Sequence, residues 1–573
     1  MFKGVSTESN KSVQNFFSFL LGLGLFYVIL NIGSRAAPYV GGDEVFLTTP
    51  LGKGWDESPW TIGYIKAVQG RYFLAHYLRK VFQFFGGDLS FALLFFQGFF
   101  LGAVTLLFLT LKRYFSQSAS IFGSLAFLTY VGKYEILNRY EGAFYHFVIF
   151  ILALCVYLFT SEKIKFKYRM IIISLLLWLS LHFYEVLLSI APFFPLFVVL
   201  EAIFKKEKVS KSNLLWSTLP LLLCFVHIGI LAATENPIWT RNGAAGFSFF
   251  EKTRFLLKVF SLSLSSLFGP RSYIWNFSGL DSFLRIELVS RPLIGFLVLA
   301  GAIYLYRVFS QKKLDTSSAS SRHKSLAVWG LVMFIVTPMI SLPIVESFVP
   351  SRFTYVASFM LAFPLAYGVD FFKKWHGLSP GCLVLVFILF QAMALSGINA
   401  QLDWAGRLDE KVGQAVRAVP LDLKDGDAVF VSIPYDPKEK HYQKKYLIIA
   451  GQYVEKHWAE TLWADYPKLK TAPLYRAHLR RGERDWKDFL AFINHWRENS
   501  PNAKHHFIYL DDFYRPWRVV DLRYKKAEQL LWSFEGGLSK HERFIEHRQG
   551  EYRLGVTVDA DFQPQKVEAG LYK

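Results

Sequence analysis

Cysteine is nearly absent. Cys155, Cys224 and Cys382 are the three in 573 residues, and each falls inside an apolar run. The region after Asn399 has none, which excludes a disulfide framework or a cysteine metal site there. Charge is scarce too: 19% of residues are charged, and the acids are outnumbered 45 to 64. The resulting net charge of +19 does not imply nucleic acid, because much of the basic excess sits in short loops between apolar runs. There it sets membrane orientation and meets anionic headgroups. No Gly-rich phosphate loop occurs, which argues against a nucleotide-linked substrate, and no pair of histidines has the i, i+4 spacing with an intervening Glu that binds zinc. Internal repeats and low-complexity tracts are missing, and Asp315–Lys324 is an ordinary Ser-rich loop.

What fills the chain instead is apolar and aromatic. Hydrophobic residues make up 53%, Phe alone contributes 57 positions, and mean hydropathy is +0.26. Long apolar runs between basic clusters suit lipid. Candidate spans are Phe16–Ile32, Leu89–Leu111, Ser118–Val131, Ala143–Thr160, Met170–Leu181, Val186–Phe204, Leu214–Ala233, Pro292–Val308, Leu326–Pro343, Phe353–Val369 and Gly381–Ile398. The first is long for a signal peptide and is followed by more spans, so it reads as an uncleaved helix. The third and fifth are shorter than the roughly 20 residues a crossing needs, and their ends are expected to extend into flanking polar residues. The fold class expected is a polytopic α-helical membrane protein of about eleven spans, residues 1–398, with a soluble α/β domain over residues 399–573.

Lys3, Lys112, Arg113, Lys163–Arg169, Lys205–Lys211, Lys312, Lys313 and Lys373 fall on one side if these spans alternate. That side is cytoplasmic by the positive-inside rule. The N-terminus is then inside, the C-terminal region outside, and a bacterial inner membrane is the expected location. Phe249–Phe268 breaks the alternation and reads as a helix lying in the outer interface or re-entering. After Asn399, Ala428–Pro434 and His505–Asp512 read as buried strands, "EYRLGVTVD" as another, with helical patterns between them.

The outer loops hold the polar candidates. Asp43 and Glu44 lie about ten residues past a span, near the membrane surface. Asp43 reads either as a general base towards an acceptor hydroxyl or as a helix-capping acid. Arg71, in Gly-Arg-Tyr, either anchors an anion or sits among headgroups. The loop "GKYEILNRYEGAFYHF" offers Glu135, Arg139, Glu141 and His146, with an internal Glu–Arg pair as the simpler reading. His182 and Glu185 stand in an apolar stretch as site residues or as a hairpin cap. Arg352 opens a late span one turn above Tyr355. A guanidinium there suits a phosphate or snorkels to the interface. In the C-terminal region, the pair Asp511 and Asp512 reads as turn residues.

Together, an acidic pair in the first outer loop, a downstream Gly-Arg, a Glu at a hairpin tip and an Arg-aromatic-x-Tyr start to a late span resemble the GT-C glycosyltransferases. The "DE…QGRY" segment is most similar to bacterial glucosyltransferases that decorate O-antigen. "PSRFTYVASF" is similar to the mannosyltransferase branch with tetratricopeptide tails, though this chain has no such repeat. The resemblance covers Phe16–Asp425 and implies an inverting transfer of sugar from a polyprenyl-phosphate carrier. Its acceptor is a glycan, lipid or protein hydroxyl on the outer side. Asp43, with Glu44 in reserve, is then the base. Arg352 and Arg71 stabilise the departing lipid phosphate, and Glu141, His182, Glu185 and Tyr355 line the substrate site. Some members use a divalent metal. This chain lacks a clear third acidic ligand, so no cofactor is expected.

Three rival classes remain. A flippase for lipid-linked sugar predicts inverted repeats and broken helices at matching positions, which are not seen. A polysaccharide polymerase or ligase gives Asp43 no evident task. An acyltransferase wants a histidine deep in the membrane, where His227 is the one candidate; a lone His there is more often a packing partner.

Overall fold

The computed structural model describes residues 72–130, 143–183, 190–233, 321–337 and 352–372. It also describes five positions between 250 and 261, Lys424 and seven strands between 428 and 566. The chain forms two compact units, Met1–Ile32 with Lys53–Ser396, and Gly33–Gly52 with Gly397–Lys573.

The first unit is helical where described. Its helices are α1 (Tyr72–Phe84), α2 (Leu89–Lys112), α3 (Gln117–Thr129), α4 (Phe144–Phe159), α5 (Phe166–Leu181), α6 (Phe193–Lys205), α7 (Lys211–Ser217), α8 (Leu219–Ala233), α9 (Ser321–Val336) and α10 (Arg352–Phe372). Apolar residues on nearly every face of α4 are buried, which makes it a central helix. It packs against α2 and α5, α5 against α8, α2 against α3, α3 against α10, α10 against α9 and α9 against α6. Phe159 then meets Phe194 and Phe197 of α6, each at 5.1 Å between ring centroids, so the order of packing returns to α4.

Close approach onto α10 has a backbone cause. Pro364 lies inside this helix and has no N–H to give to the carbonyl four residues earlier, that of Met360. Gly330 of α9 covers that carbonyl: a Cβ there would lie 2.8 Å from Met360 O and 2.8 Å from Phe363 Cβ. Gly123 of α3 approaches the same helix two residues further on, where a Cβ would lie 2.8 Å from Ala362 O. Small residues thus bring two neighbours onto α10 at backbone distance.

Several helix ends differ from expectation. The helix expected from Met170 begins at Phe166, four residues earlier, and takes in Lys167 and Arg169 as anticipated for a short span. The expected Val186–Phe204 segment is helical from Phe193, after Pro192 as its N-cap residue. Leu214–Ala233 is two helices, α7 and α8, meeting at Thr218. Pro220 explains the break, because it cannot donate to the carbonyl of Trp216. Helix α1 lies within what reads in sequence as a continuous outer loop. It is amphipathic, with Phe73 and Leu78 buried and Tyr77 and Phe84 exposed.

Among the described residues, one helical stretch, Phe91–Lys112, is long and apolar enough to cross a membrane. Gln117–Leu128, Phe144–Phe159, His323–Val336 and Tyr355–Phe371 are shorter apolar helices. Eleven crossings therefore exceed what the described helices meet by length. The spans expected at Phe16–Ile32, Pro292–Val308 and Gly381–Ile398 lie outside the described residues. Of Phe249–Phe268, Phe250, Thr253, Arg254, Leu257 and Ser261 are described, each helical and exposed.

The second unit carries β1 (Ala428–Ile433), β2 (Lys470–Tyr475), β3 (His505–Tyr509), β4 (Leu530–Phe534), β5 (Phe544–Arg548), β6 (Leu554–Val558) and β7 (Pro564–Lys566). Five form one sheet in the order β2-β1-β3-β6-β7, and β4 pairs with β5 separately. β1 runs parallel to β2 and β3, whereas β3–β6 and β6–β7 are antiparallel. Pro473 and Pro564 both fall on edge strands, where a missing N–H does not interrupt the ladder. The helices expected between these strands lie outside the described residues.

Candidate functional site

Two polar side-chain contacts stand at one end of the helical unit. In the first, Nδ1 of His146 lies 2.9 Å from the Tyr355 hydroxyl, joining residues 209 apart in sequence. Both residues are fully buried. His146 is in the first turn of α4 and Tyr355 in the first turn of α10, and neither first turn contains an acid. The N-cap residue of α4, Ala143, has no side chain able to cap it. Aromatic rings enclose the pair: Phe100 lies 5.2 Å from the His146 ring, and Phe127 stacks on Tyr355 at 6.0 Å and 16°. With the imidazole and hydroxyl locked in apolar surroundings, this bond is protected from competing water.

In the second, His182 stands one residue beyond the last of α5. Trp178 packs edge-on against it at 4.7 Å, Phe73 of α1 at 5.1 Å, and His227 of α8 lies 6.2 Å away, centroid to centroid. Its Nδ1 is 2.9 Å from Trp178 O. A carbonyl only accepts, so Nδ1 carries the proton. Desolvation by burial lowers the His182 pKa below the ordinary histidine value, against backbone hydrogen bonds at Trp178 and Leu179 that raise it. The ring is therefore neutral at neutral pH, and its Nε2 is an acceptor. Phe147, next to His146, packs on Phe183, next to His182, at 5.2 Å, which links the two contacts.

No family model matches this chain, and a search of curated proteins finds no relative. The site is therefore argued from its own residues. Of the sequence candidates, Tyr355 and His182 are placed as described. Arg352 is the first residue of α10. Asp43, Glu44, Arg71, Glu141 and Glu185 lie outside the described residues. Among the described residues, no group of three or more His, Cys, Asp or Glu is placed to hold a metal ion. Two residues gain weight from the structure. His146 is one of several polar groups in its segment by sequence, and only the contact with Tyr355 singles it out. His227, which reads as a lone packing residue, faces a second histidine.

The other end of the unit is built differently. Arg113 lies 3.9 Å over the Tyr157 ring and donates to Tyr157 O at 2.8 Å and to Thr160 Oγ1 at 3.2 Å. Tyr114 donates to Thr160 O at 2.8 Å, and Arg169 to Phe159 O at 2.6 Å. These carbonyls close α4, whose last turn cannot pair them internally. Ser116 caps α3 and binds the Asp370 carboxylate through both its N–H and its hydroxyl.

Proposed function

We propose that this protein is an inverting membrane glycosyltransferase of the GT-C type. It takes a sugar from a polyprenyl-phosphate carrier and gives it to a hydroxyl on the outer side of a bacterial inner membrane. The observation that carries the reading is the His146–Tyr355 bond, which joins the first turns of α4 and α10. The positive dipole ends of α4 and α10 meet there, and Arg352 opens one of them. Such an arrangement suits an anionic lipid phosphate. The basic end, with Lys112, Arg113 and Arg169, is the cytoplasmic one by the positive-inside rule, and the His146–Tyr355 end is then external. An α/β C-terminal domain is part of the same proposal, built on the parallel strand order β2-β1-β3.

In the proposed reaction, Asp43 takes the proton of the acceptor hydroxyl, and Glu44 is its reserve. The hydroxyl oxygen attacks the anomeric carbon as the bond to the phosphate oxygen breaks on the opposite face. The electron pair leaves with the polyprenyl phosphate, whose charge Arg352 and Arg71 stabilise. Glu141, His182, Glu185 and Tyr355 line the substrate site. The reading favours no divalent metal, with Arg352 and Arg71 as the positive groups that stabilise the leaving phosphate.

Sugar transfer in proteoliposomes with radiolabelled polyprenyl-phosphate sugars tests this. Wild type is expected to transfer, and Asp43→Asn to lose roughly 10²–10⁴-fold, the usual share of a general base. Full activity in the variant removes Asp43 from the chemistry. No transfer by wild type from any common donor moves the polymerase, ligase and flippase readings ahead.

A further inference from the structure

The basic end holds cations that its helices do not use. Arg113 and Arg169 are taken up by carbonyls and ring faces. Lys163, Lys165 and Lys167, around the start of α5, are all exposed. So are Lys205, Lys206, Lys208 and Lys211, from the last turn of α6 to the first of α7. Helix α7 packs on both α5 and α6 and brings the two groups together. Lys167 lies 5.0 Å over the ring of Trp216 on α7. Lys205 pairs with Glu201. Among the described residues the other lysines of both groups form no ion pair, although Glu162 and Glu207 stand in the same loops. Lys206 also has a left-handed backbone, φ 57° and ψ 34°, at the end of α6. A residue with a Cβ is strained there, so the turn by itself is better served by glycine. Exposed apolar residues run on from both groups. On α5, Tyr168, Ile172 and Leu175 follow Lys165 along one face, and on α7 Leu215 stands one turn after Lys211.

We propose that this surface is a binding site for one anionic phospholipid of the cytoplasmic leaflet, its phosphate among the lysines and its acyl chains along α5 and α7. Basic loops in general attract headgroups. Here the fold fixes two such loops side by side, and that convergence makes a site out of a diffuse attraction. Charge and apolar surface together select the ligand. A nucleic acid or an acidic protein would meet the lysines and leave the strips on α5 and α7 uncovered. A zwitterionic lipid would cover the strips and bring its own cation among the lysines. An anionic lipid satisfies both parts. Trp216 stands where the two parts join, as indoles do at membrane interfaces. The site rests on this end lying at the cytoplasmic membrane surface and not on sugar transfer.

The test uses the full chain in a neutral detergent. Native mass spectrometry measures retention of dioleoylphosphatidylglycerol and dioleoylphosphatidylcholine offered in equal amounts. Glycerophosphoglycerol, inorganic phosphate and a single-stranded oligonucleotide serve as soluble anions. Wild type is expected to retain the glycerol lipid over the choline lipid and to unfold at a higher temperature with the first alone. Lys206→Gly removes one charge and relieves the left-handed backbone. It is expected to weaken the preference about fivefold, the share of one lysine near an anionic surface, while unfolding no earlier than wild type without lipid. Replacing Lys165, Lys167, Lys206 and Lys208 together by Gln is expected to abolish the preference, and replacing them by Arg to keep it. Equal retention of the two lipids by wild type overturns the proposal. So does a preference unchanged in Lys206→Gly or in the Gln variant, or a soluble anion bound as tightly as the lipid. Sugar transfer separates the site from the function above. Normal transfer by a protein that selects neither lipid sinks the site alone. Selection of the anionic lipid by a protein that transfers nothing sinks the transferase reading alone.

Discussion

The two ends of the helical unit use polar side chains in opposite ways. At the basic end, cations and hydroxyls meet main-chain carbonyls that helices leave open: Arg113 and Tyr114 at the end of α4, Arg169 at Phe159. These contacts finish helices. At the other end, side chains meet side chains, His146 with Tyr355 and His182 with His227, and among the described residues His227 has no hydrogen-bond partner. A fold gains little from burying imidazoles that way. The first end thus has the character of structure and the second the character of a site. Substitutions at the first should cost stability and spare activity, and substitutions at the second should cost activity beyond any loss of stability.

The largest stability effect is expected at Arg113. Arg113→Met keeps the length of the side chain and removes two charge-assisted hydrogen bonds and the stack on Tyr157. The loss is about 2–3 kcal/mol, since hydrogen bonds to charged groups and cation–π contacts each contribute of order 1 kcal/mol or more. Thermal unfolding of the protein in nanodiscs reads this, while KM and kcat for transfer stay within about twofold. A variant as stable as wild type, or one that folds but does not transfer, would break the contrast from the structural side.

Tyr355→Phe probes the opposite end. The hydroxyl is lost and His146 Nδ1 is deprived of it in a buried place, at about 1–2 kcal/mol. Transfer is expected to fall by tenfold or more, beyond what the stability change explains, because the variant remains folded at assay temperature. A Tyr355→Phe protein that loses stability and transfers normally would place this bond among the structural ones.

Much of the helical framework was legible, because an apolar run is a local signal. The segments around Leu89, Ala143 and Phe353 appear as α2, α4 and α10 within a few residues. Boundaries moved where proline intervened, at Pro192 and Pro220, since one missing N–H outweighs a continuous apolar pattern. Helix α1 does not stand out in the sequence because Arg79 and Lys80 interrupt its apolar pattern, although Arg79 is buried in the fold. β1, β3 and β6 announce themselves by apolar and β-branched runs and turn out to be neighbours. β2 does not, because Pro473 argues against a strand anywhere but at an edge. In the site, Tyr355 and His182 were visible as polar groups near apolar ends. Their partners were not. Nothing local ties residue 146 to residue 355, and a histidine in an apolar run reads as packed until the second histidine across from it is seen.

The smallest effect sharpens the contrast within the basic end itself. Glu201 and Lys205 form an i, i+4 ion pair at 2.9 Å on α6, both partly exposed. Like Arg113 it is charged, yet it joins two side chains rather than a side chain and a main-chain carbonyl. If charge alone stabilised this end, Glu201→Gln would resemble Arg113→Met. If carbonyl closure is what matters, the pair is worth only about 0.3–0.5 kcal/mol, as helix-surface pairs are. Raising the salt concentration should erase even that difference in unfolding temperature, because exposed pairs are screened. The Arg113 effect should persist in the same salt, since its partners are a ring face and a carbonyl rather than a distant charge. Salt-sensitive loss at both positions would mean that the basic end is held by its net field, and the division between the two ends would then have to be drawn on charge instead of on hydrogen bonding.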